Sequence, residues 1–302
     1  MSGSLPILSE LPSGYFVDES PGGILALQVD HARALHEAGY GPEHDGGLET
    51  SELTGRRAML GLEAGGLRLV VRRFSHGGLM RWLTGERYLD PERPFRELIL
   101  SDSLRRAGIK TPQVVAARAR PARPAGWRLD LVTRRVEGTL DLGHALRRIR
   151  SGEVPTAARR QLAAALGALV RQLHRHGCLH ADLTPTNVLC QEAALEGAEP
   201  ELWVIDLDGS RHLERPTEAE LQANLRRLYR YVVRRERRLG AALTRTDLAR
   251  FLKAYEPERG ARHRMARGVL EAHRRKILLH AVGWFFEGLF RRQADPRESP
   301  AA

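Results

Sequence analysis

The feature that most limits how this chain can fold is a polar loop that lies between apolar segments in its second half. Residues 180–187 read HADLTPTN, with the spacing H-x-D-L-x-x-x-N, and IDLDG follows at residues 205–209 after an apolar run. Leucine and valine recur at helical spacing upstream, between residues 155 and 176, and Gly177 follows them. This order predicts a buried helix, a polar loop, a hairpin of two short strands, and a strand end that carries aspartate.

Three oxygen-bearing side chains converge in this arrangement, those of Asp182, Asn187 and Asp206. Transfer of a phosphoryl group from ATP needs Mg²⁺ to offset phosphate charge, and carboxylate and amide oxygens are its usual ligands. We therefore expect Asn187 and Asp206 to hold Mg²⁺, while Asp182 orients an acceptor hydroxyl and takes its proton. Asp208 is predicted either to bind a second metal ion or to form a turn. His180 is expected to brace the loop.

The first half of the chain predicts a sheet with one helix. Two short apolar runs flank Glu-Ala-Gly-Gly at residues 63–66, which is typical of a hairpin. An apolar stripe downstream, followed by Gly108, predicts the helix. The predicted elements are a loop at 51–57, paired strands at 58–62 and 67–71, a helix at 94–107, and further strands at 114–117 and 127–133.

The second half is predicted to be helical. Thr217 and Glu220 have the offset of a capping box and begin a helix that ends before Gly240, and at least two more helices are expected beyond it. The predicted organisation is an N-terminal extension at 1–45, a nucleotide-binding N-lobe at 46–133, a C-lobe with the catalytic loop at 134–290, and a frayed tail at 291–302.

The polar loop, with Leu173-His174-x-x-Gly177-x-x-His180 before it, resembles the protein-kinase-like superfamily. This resemblance implies an α+β fold of two lobes: an N-lobe with an antiparallel sheet and one helix, and a mostly helical C-lobe. It also implies binding of ATP and Mg²⁺. Asp208 stands where the common kinase pattern has glycine, and resembles the I-D-x-D variant of small-molecule and sugar kinases.

A kinase usually carries a lysine on its third strand, paired with a glutamate on the following helix, yet no lysine precedes Lys110. In Leu69-Val70-Val71-Arg72 the last residue takes the position of that lysine. An arginine can replace the lysine because a guanidinium can bind phosphate with two hydrogen bonds. Glu97 is the predicted partner of Arg72. Arg73, on the opposite strand face, is the alternative.

The phosphate-binding loop that such kinases place before the first hairpin is reduced in this chain. Only Gly55 matches the G-x-G-x-x-G pattern, and two arginines follow it directly. We predict that Gly55, Arg56 and Arg57 line the nucleotide site, with the arginine side chains supplying positive charge in place of a glycine-rich backbone cradle.

Several departures narrow the resemblance to the lipopolysaccharide core kinases, and among them to kinases of 3-deoxy-D-manno-octulosonic acid (Kdo). They are the arginine at the lysine position, RFSHGGL at 73–79, FRE at 95–97 and NLRRL at 224–228. The resemblance implies phosphorylation of a Kdo hydroxyl on a lipid A-type glycolipid at the inner face of a Gram-negative inner membrane. Another acceptor, such as heptose, an aminoglycoside or a protein, is the alternative, as is a non-catalytic nucleotide- or anion-binding module.

The net charge and the cysteine content agree with a cytoplasmic protein that acts on an anionic substrate at a membrane. The 302 residues carry 48 Lys and Arg against 37 Asp and Glu, a net charge of +11, which predicts an anionic partner. Arginines crowd the helix predicted after Thr217, and basic amphipathic helices of this kind lie on anionic headgroups. We expect peripheral membrane contact and no nucleic acid, although the same patches could attract it. Two cysteines and no secretory signal predict a cytoplasmic protein.

Overall fold

The structure is a computed structural model that describes residues 5–54, 58–75, 87–271 and 273. Its N-lobe is built on a seven-stranded antiparallel sheet with the strand order β1-β2-β6-β7-β5-β4-β3. The strands are β1 (Tyr15–Ser20), β2 (Gly23–Gln28), β3 (Glu49–Thr54), β4 (Ala58–Ala64), β5 (Leu67–Arg73), β6 (Val114–Pro121) and β7 (Trp127–Arg134).

The predicted hairpin is present as β4 and β5, with Leu62 opposite Leu69 across the pair. Side chains alternate between the faces of β5, so Leu69 and Val71 are buried on one face and Arg72 lies on the other. The prediction of a loop at 51–57 is wrong for residues 51–54, which belong to β3 and pair with β4. This strand lies at the sheet edge, where polar residues are common in β-sheets.

Each face of the sheet packs against a helix. Helix α1 (Val29–Glu37) covers one face, where Leu35 joins Val71 in an apolar cluster. The predicted helix at 94–107 is α2 (Arg93–Arg106), which lies on the other face, where its Phe95 packs in the cluster that contains Leu131. Further along, Leu104 of α2 belongs to the apolar core of the C-lobe. Helix α2 therefore joins the two lobes.

Residues 15–28, within the segment predicted as an extension, continue the N-lobe sheet. Strands β1 and β2 form a hairpin, and β2 pairs with β6 from Ile24 opposite Ala119 to Leu27 opposite Ala116. The segment predicted as an extension thus supplies two strands and helix α1 to the lobe, and the sheet reaches beyond the boundary predicted at residue 46.

Helices dominate the C-lobe. They are α3 (Leu142–Arg150), α4 (Thr156–Arg175), α5 (Glu218–Leu239), α6 (Arg245–Tyr255) and a further helix at 259–271. The short strands are β8 (Thr139–Asp141), β9 (Cys178–Leu179), β10 (Val188–Gln191), β11 (Leu202–Val204) and β12 (Arg211–His212), which form a three-stranded sheet β11-β10-β8 and a pair β12-β9. The predicted hairpin is β10 with β11, and the two helices expected after Gly240 are present.

Helix α4 is the centre of the C-lobe. It crosses α6 so closely that a Cβ atom at Gly167 would lie 2.2 Å from the carbonyl oxygen of Phe251, so only glycine fits there. Gly177 ends the segment with a φ of 77°, and a Cβ there would lie 1.9 Å from the Leu213 carbonyl oxygen. These two close approaches fix the position of the loop that follows.

The predicted capping box is also present, because the Thr217 side chain accepts from the Glu220 backbone while Glu220 accepts from the Thr217 backbone. Both cysteines, Cys178 and Cys190, are free and buried. Among the described residues, no helix has the length and apolar character needed to cross a membrane. The α+β fold of two lobes is as the sequence predicts.

Candidate active site

The catalytic loop predicted at residues 180–187 is held at its start by His180. Its Nε2 donates to the Ile205 carbonyl oxygen at 3.0 Å, and its Nδ1 accepts from the Asp182 backbone N–H at 3.0 Å. Since a carbonyl oxygen only accepts, this geometry fixes the neutral tautomer with the proton on Nε2. Burial lowers the pKa of His180, which favours the same neutral form. His180 thus positions the loop, as the sequence predicts.

Asp182 and Asn187 lie in contact within the loop. The Asn187 side-chain nitrogen donates to the Asp182 backbone carbonyl at 2.8 Å and to its carboxylate Oδ2 at 3.2 Å. The 3₁₀ turn Pro185–Asn187 brings the two side chains together over five residues. Because the amide nitrogen of Asn187 is used by the loop, its amide oxygen is the atom that remains to accept a ligand.

Asp206 lies directly beside this loop. The backbone N–H of Ile205 donates to the Asn187 carbonyl oxygen at 3.0 Å, while its carbonyl oxygen accepts from His180. Both backbone hydrogen bonds of Ile205, the residue before Asp206, are therefore made to the loop. Asp206 itself has a φ of 59°, in the left-handed region, and 42% of its side chain is exposed. The segment that carries Asp206 is thus bonded to the loop that carries Asp182 and Asn187.

From the N-lobe, Arg72 reaches across the cleft to this group. Its guanidinium donates to a carboxylate oxygen of Glu97 on α2 and to Oδ1 of Asp206, and it stacks 4.5 Å from the centre of the Phe74 ring. The other oxygen of Glu97 accepts from the Leu207 backbone N–H at 3.1 Å. The predicted pairing of Arg72 with Glu97 is confirmed, and the same two side chains tie the lobes together.

The charge of Glu97 is disfavoured in this setting. Burial is the largest cause and, with the nearby carboxylates of Asp206 and Asp208, raises the pKa of Glu97 to about 7, against the opposing effect of Arg72. Burial acts against the charge of Arg72 too, but the carboxylates of Glu97, Asp206 and Asp208 raise its pKa. Three carboxylates, those of Glu97, Asp206 and Asp208, therefore interact with Arg72.

Asp208 has a partner that the sequence did not reveal. Arg93, at the start of α2, donates to both carboxylate oxygens of Asp208, from Nε at 3.1 Å and from Nη2 at 2.6 Å. Its guanidinium lies 4.7 Å from the centre of the Tyr88 ring. Arg93 therefore competes with a metal ion for the oxygens of Asp208. The predicted metal role of Asp208 stays a prediction.

A second group missed by the sequence reasoning supports the loop from behind. Asn224 of α5 donates from its side chain to the His180 carbonyl oxygen at 2.7 Å and accepts from His174 Nε2 at 3.1 Å. The Tyr255 hydroxyl completes the chain at 2.8 Å from His174 Nδ1. Burial lowers the pKa of His174, so its ring is neutral and can accept from Tyr255. His174 lies in the motif that precedes His180, and Asn224 begins the NLRRL motif at 224–228. These two motifs could have identified them.

Four further residues, Gly55, Arg56, Arg57 and Arg73, were also predicted for the site. Gly55, Arg56 and Arg57 are outside the described residues, as is the RFSHGGL segment after Ser75. Arg73, the alternative to Arg72, lies on the opposite face of the sheet, where it donates to Asp45 at 2.6 Å. Arg72 is therefore the arginine that faces the cleft.

The donor set fits a magnesium ion bound together with a nucleotide. Mg²⁺ is usually held by one or two carboxylates and by substrate phosphates, without a full protein cage. The carboxylate of Asp206 and the amide oxygen of Asn187 supply such a partial set. Among the described residues, no group of three or more His, Cys, Asp or Glu side chains could hold a metal ion.

Fold and site define a phosphotransferase of the protein-kinase-like class. The sequence model of the Lipopolysaccharide kinase (Kdo/WaaP) family matches residues 47–255, which is most of the chain. The chain belongs to this family, and membership in a family of kinases implies the use of ATP.

Two relatives illustrate the similarity. The 3-deoxy-D-manno-octulosonic acid kinase of Actinobacillus succinogenes is 29% identical over 195 residues, 63% of this chain and 76% of the relative. The corresponding kinase of Mannheimia succiniciproducens is 28% identical over the same shares. A solved structure, described as WaaP in complex with acyl carrier protein, matches with a TM-score of 0.56 and 24% identity over 83% of this chain and 97% of that one. At this identity the structural match supports the fold alone.

Proposed function

We propose that this chain transfers the γ-phosphoryl group of ATP to a hydroxyl of Kdo on a lipid A-type glycolipid. The observation that carries the proposal is the position of Asp206, which pairs with Arg72 of the Arg72–Glu97 pair and follows a residue bonded to the loop of Asp182 and Asn187. The names of the related kinases support Kdo as the acceptor sugar.

The mechanism is a direct in-line displacement. The acceptor oxygen forms its bond to the γ-phosphorus as the bond from that phosphorus to the β,γ-bridging oxygen breaks, and ADP leaves. Asp182 orients the acceptor hydroxyl and takes its proton. Asn187 and Asp206 would hold Mg²⁺, which when bound neutralises phosphate charge. Arg72, kept in place by Glu97, would exchange Asp206 for the α- and β-phosphates of the nucleotide.

An anionic glycolipid also fits the surface of α5. The exposed arginines of this helix include Arg230, Arg234, Arg237 and Arg238. Such a surface attracts anionic headgroups, at about 1 kcal/mol per basic residue near the membrane. We therefore place the protein at the inner face of the inner membrane as a peripheral protein.

The test is incubation with ATP, Mg²⁺ and Kdo-lipid A, followed by mass spectrometry and determination of the phosphorylated hydroxyl. We expect one phosphoryl group on Kdo. In Asp182→Ala, turnover should fall by about 10³-fold or more while ATP affinity stays within about twofold, because Asp182 acts on the acceptor.

Other outcomes would identify the alternatives. Transfer to heptose, an aminoglycoside or a protein, but not to Kdo, would replace the acceptor and keep the chemistry. ATP binding without transfer to any acceptor would favour a binding module. Equal loss of ATP binding and turnover in Asp182→Ala would contradict the role given to this residue.

A further inference from the structure

A cavity of about 350 Å³ lies beside the catalytic loop, on the side of α5. Three parts of the chain enclose it: the residues just before Asp182, the segment after Asp208, and one face of α5. We call it the arginine cavity, because Arg211, Arg226, Arg227 and Arg230 line it together with Leu179, His180, Ala181, Gly209, Glu220, Ala223 and Asn224.

Positive charge dominates the lining. Four arginines face one carboxylate, and that carboxylate, Glu220, is shared between its capping box and a 3.3 Å ion pair with Arg211. His180 adds no charge, since its hydrogen bonds require the neutral ring. Arg227 is half-buried and Arg230 is exposed, so the cavity has an inner and an outer arginine one turn apart on the same helix. An anion in the cavity would meet both.

The walls of the cavity are fixed to the catalytic machinery. Asn224 donates to the His180 carbonyl oxygen at 2.7 Å, which holds α5 against the loop. The Ala181 backbone N–H donates to the Ser210 hydroxyl at 3.0 Å, which holds the segment after Asp208 against the same loop. A ligand in the cavity is therefore positioned relative to Asp182, only one residue beyond Ala181, by rigid contacts on two sides.

We propose that the arginine cavity binds the anionic group of the acceptor, a carboxylate or phosphate, and so presents the acceptor hydroxyl to Asp182. The proposal rests on the proposed function and adds the residues that select the acceptor. A guanidinium grips either anion with two parallel hydrogen bonds, and a sugar acid on a phosphorylated lipid carries both anions. A neutral sugar would offer Arg227 and Arg230 no anion, which disfavours it.

The experiment measures acceptor and nucleotide dependence separately. With Kdo-lipid A as acceptor, Arg227→Ala and Arg230→Ala should each raise the acceptor KM about tenfold or more and leave the ATP KM within about twofold. Arg227→Lys should lie between wild type and Arg227→Ala, because it keeps the charge but loses the fork. The control is Arg215→Ala, an exposed arginine outside the cavity, with both constants within about twofold of wild type.

Equilibrium titration without ATP identifies the anion and keeps the test independent of turnover. Free Kdo carries only a carboxylate, so weaker binding of free Kdo by Arg227→Ala assigns the cavity to the sugar acid. An effect confined to Kdo-lipid A assigns it to a lipid phosphate. Thermal unfolding of each variant checks folding, and exposed Arg230 provides a second variant if Arg227→Ala does not fold.

Three outcomes would overturn the proposal: unchanged acceptor constants in both cavity variants, an equal effect in Arg215→Ala, or no binding of either probe to the wild type. If Kdo-lipid A binds in a cavity-dependent manner but receives no phosphoryl group, the cavity stands and the proposed function fails. If transfer occurs and the variants behave as wild type, the reverse holds.

Discussion

Neighbouring arginines on one strand take part in two charged clusters of opposite character. Arg72 points into the cleft, where its partners Glu97 and Asp206 come from different lobes. Arg73 points to the other face, where its partners Asp45 and Asp130 both belong to the N-lobe. The cluster around Arg72, the inner cluster, therefore spans the cleft between the lobes, which a nucleotide can enter. The cluster around Arg73, the outer cluster, lies within the N-lobe.

The outer cluster is organised around Arg118, which is fully buried. This guanidinium donates to the carboxylates of Asp45 and Asp130 and to the backbone carbonyls of Gly41 and His44, and its plane lies 4.2 Å from the centre of the Tyr40 ring. It joins β6, β7 and the loop after α1. The cluster thus attaches the first 45 residues to the sheet.

The two clusters differ in charge balance, and the carboxyl groups respond accordingly. Partial burial acts to raise the pKa of Asp45, but Arg120, Arg118 and Arg73 outweigh it and lower that pKa. Glu97 shows the opposite shift, to about 7, because burial and neighbouring carboxylates outweigh Arg72. The outer cluster has three arginines for two carboxylates, whereas the inner cluster has two arginines, Arg72 and Arg93, for three carboxylates.

Removal of Arg118 should have the largest effect. Arg118→Ala leaves Asp130 buried without its main partner, which typically costs about 3–5 kcal/mol. We expect the free energy of unfolding, measured by urea denaturation, to fall by that amount. The control is Arg33→Ala, which breaks an exposed ion pair with Glu37 whose side chains are 91% and 63% exposed, and which should leave stability unchanged within error.

An unchanged urea midpoint in Arg118→Ala would mean that the outer cluster does not hold the lobe together. A loss of turnover without a loss of stability would contradict the separation of the two clusters, since Arg118 lies on the face away from the cleft.

Substitution of each of the two neighbouring arginines in turn distinguishes the clusters by their effect on activity. Arg72→Ala should lower kcat/KM for ATP about a hundredfold, which corresponds to about 2.7 kcal/mol, because the nucleotide phosphates lose their guanidinium. Arg72→Lys should keep most of the activity, as it restores the usual residue of the fold. Steady-state kinetics at saturating acceptor measure both.

The matched control is Arg73→Ala, which removes the same charge one residue further along β5. Its kcat/KM should stay within about twofold of wild type. Wild-type kinetics in Arg72→Ala, or an equal loss in Arg73→Ala, would show that strand parity does not decide which arginine serves the nucleotide.

Much of the fold follows from local patterns. The hairpin β4–β5, helix α4 and the capping box of α5 were predictable because apolar periodicity or a cap defines each one. The hairpin β1–β2 was missed although Pro21-Gly22-Gly23 is a turn signal, since its flanking residues were assigned to an extension. Strand β3 was missed because its residues, ETSELT, are polar at a sheet edge.

The site divides in the same way. Arg72, Glu97 and the loop residues follow from motif spacing and strand parity, which are local. The pairing of Arg93 with Asp208 joins residues 115 positions apart, and no local pattern predicts which surface arginine reaches a given aspartate. The arginine cavity likewise depends on how α5 packs against the loop, so the sequence predicted a basic helix but not the cavity.

The smallest expected effect concerns pH. Glu97 has a pKa of about 7 in the folded chain and an ordinary value of 4.5 when exposed. Between these values the folded state keeps a proton that the unfolded state has lost, so the stability from this group is full below pH 4.5 and is lost as the pH rises through 7. Relative to Glu97→Gln, the wild type should become less stable between pH 5.5 and 7, by on the order of 1 kcal/mol, in urea unfolding without nucleotide. For Asp45, in the outer cluster, we expect the opposite sign. Relative to Asp45→Asn, the wild type should lose stability as the pH falls, since the pKa of Asp45 is lowered. If the stability contributed by both carboxyl groups rose with pH, Arg72 alone would neutralise Glu97. The contrast in charge balance between the two faces would then disappear.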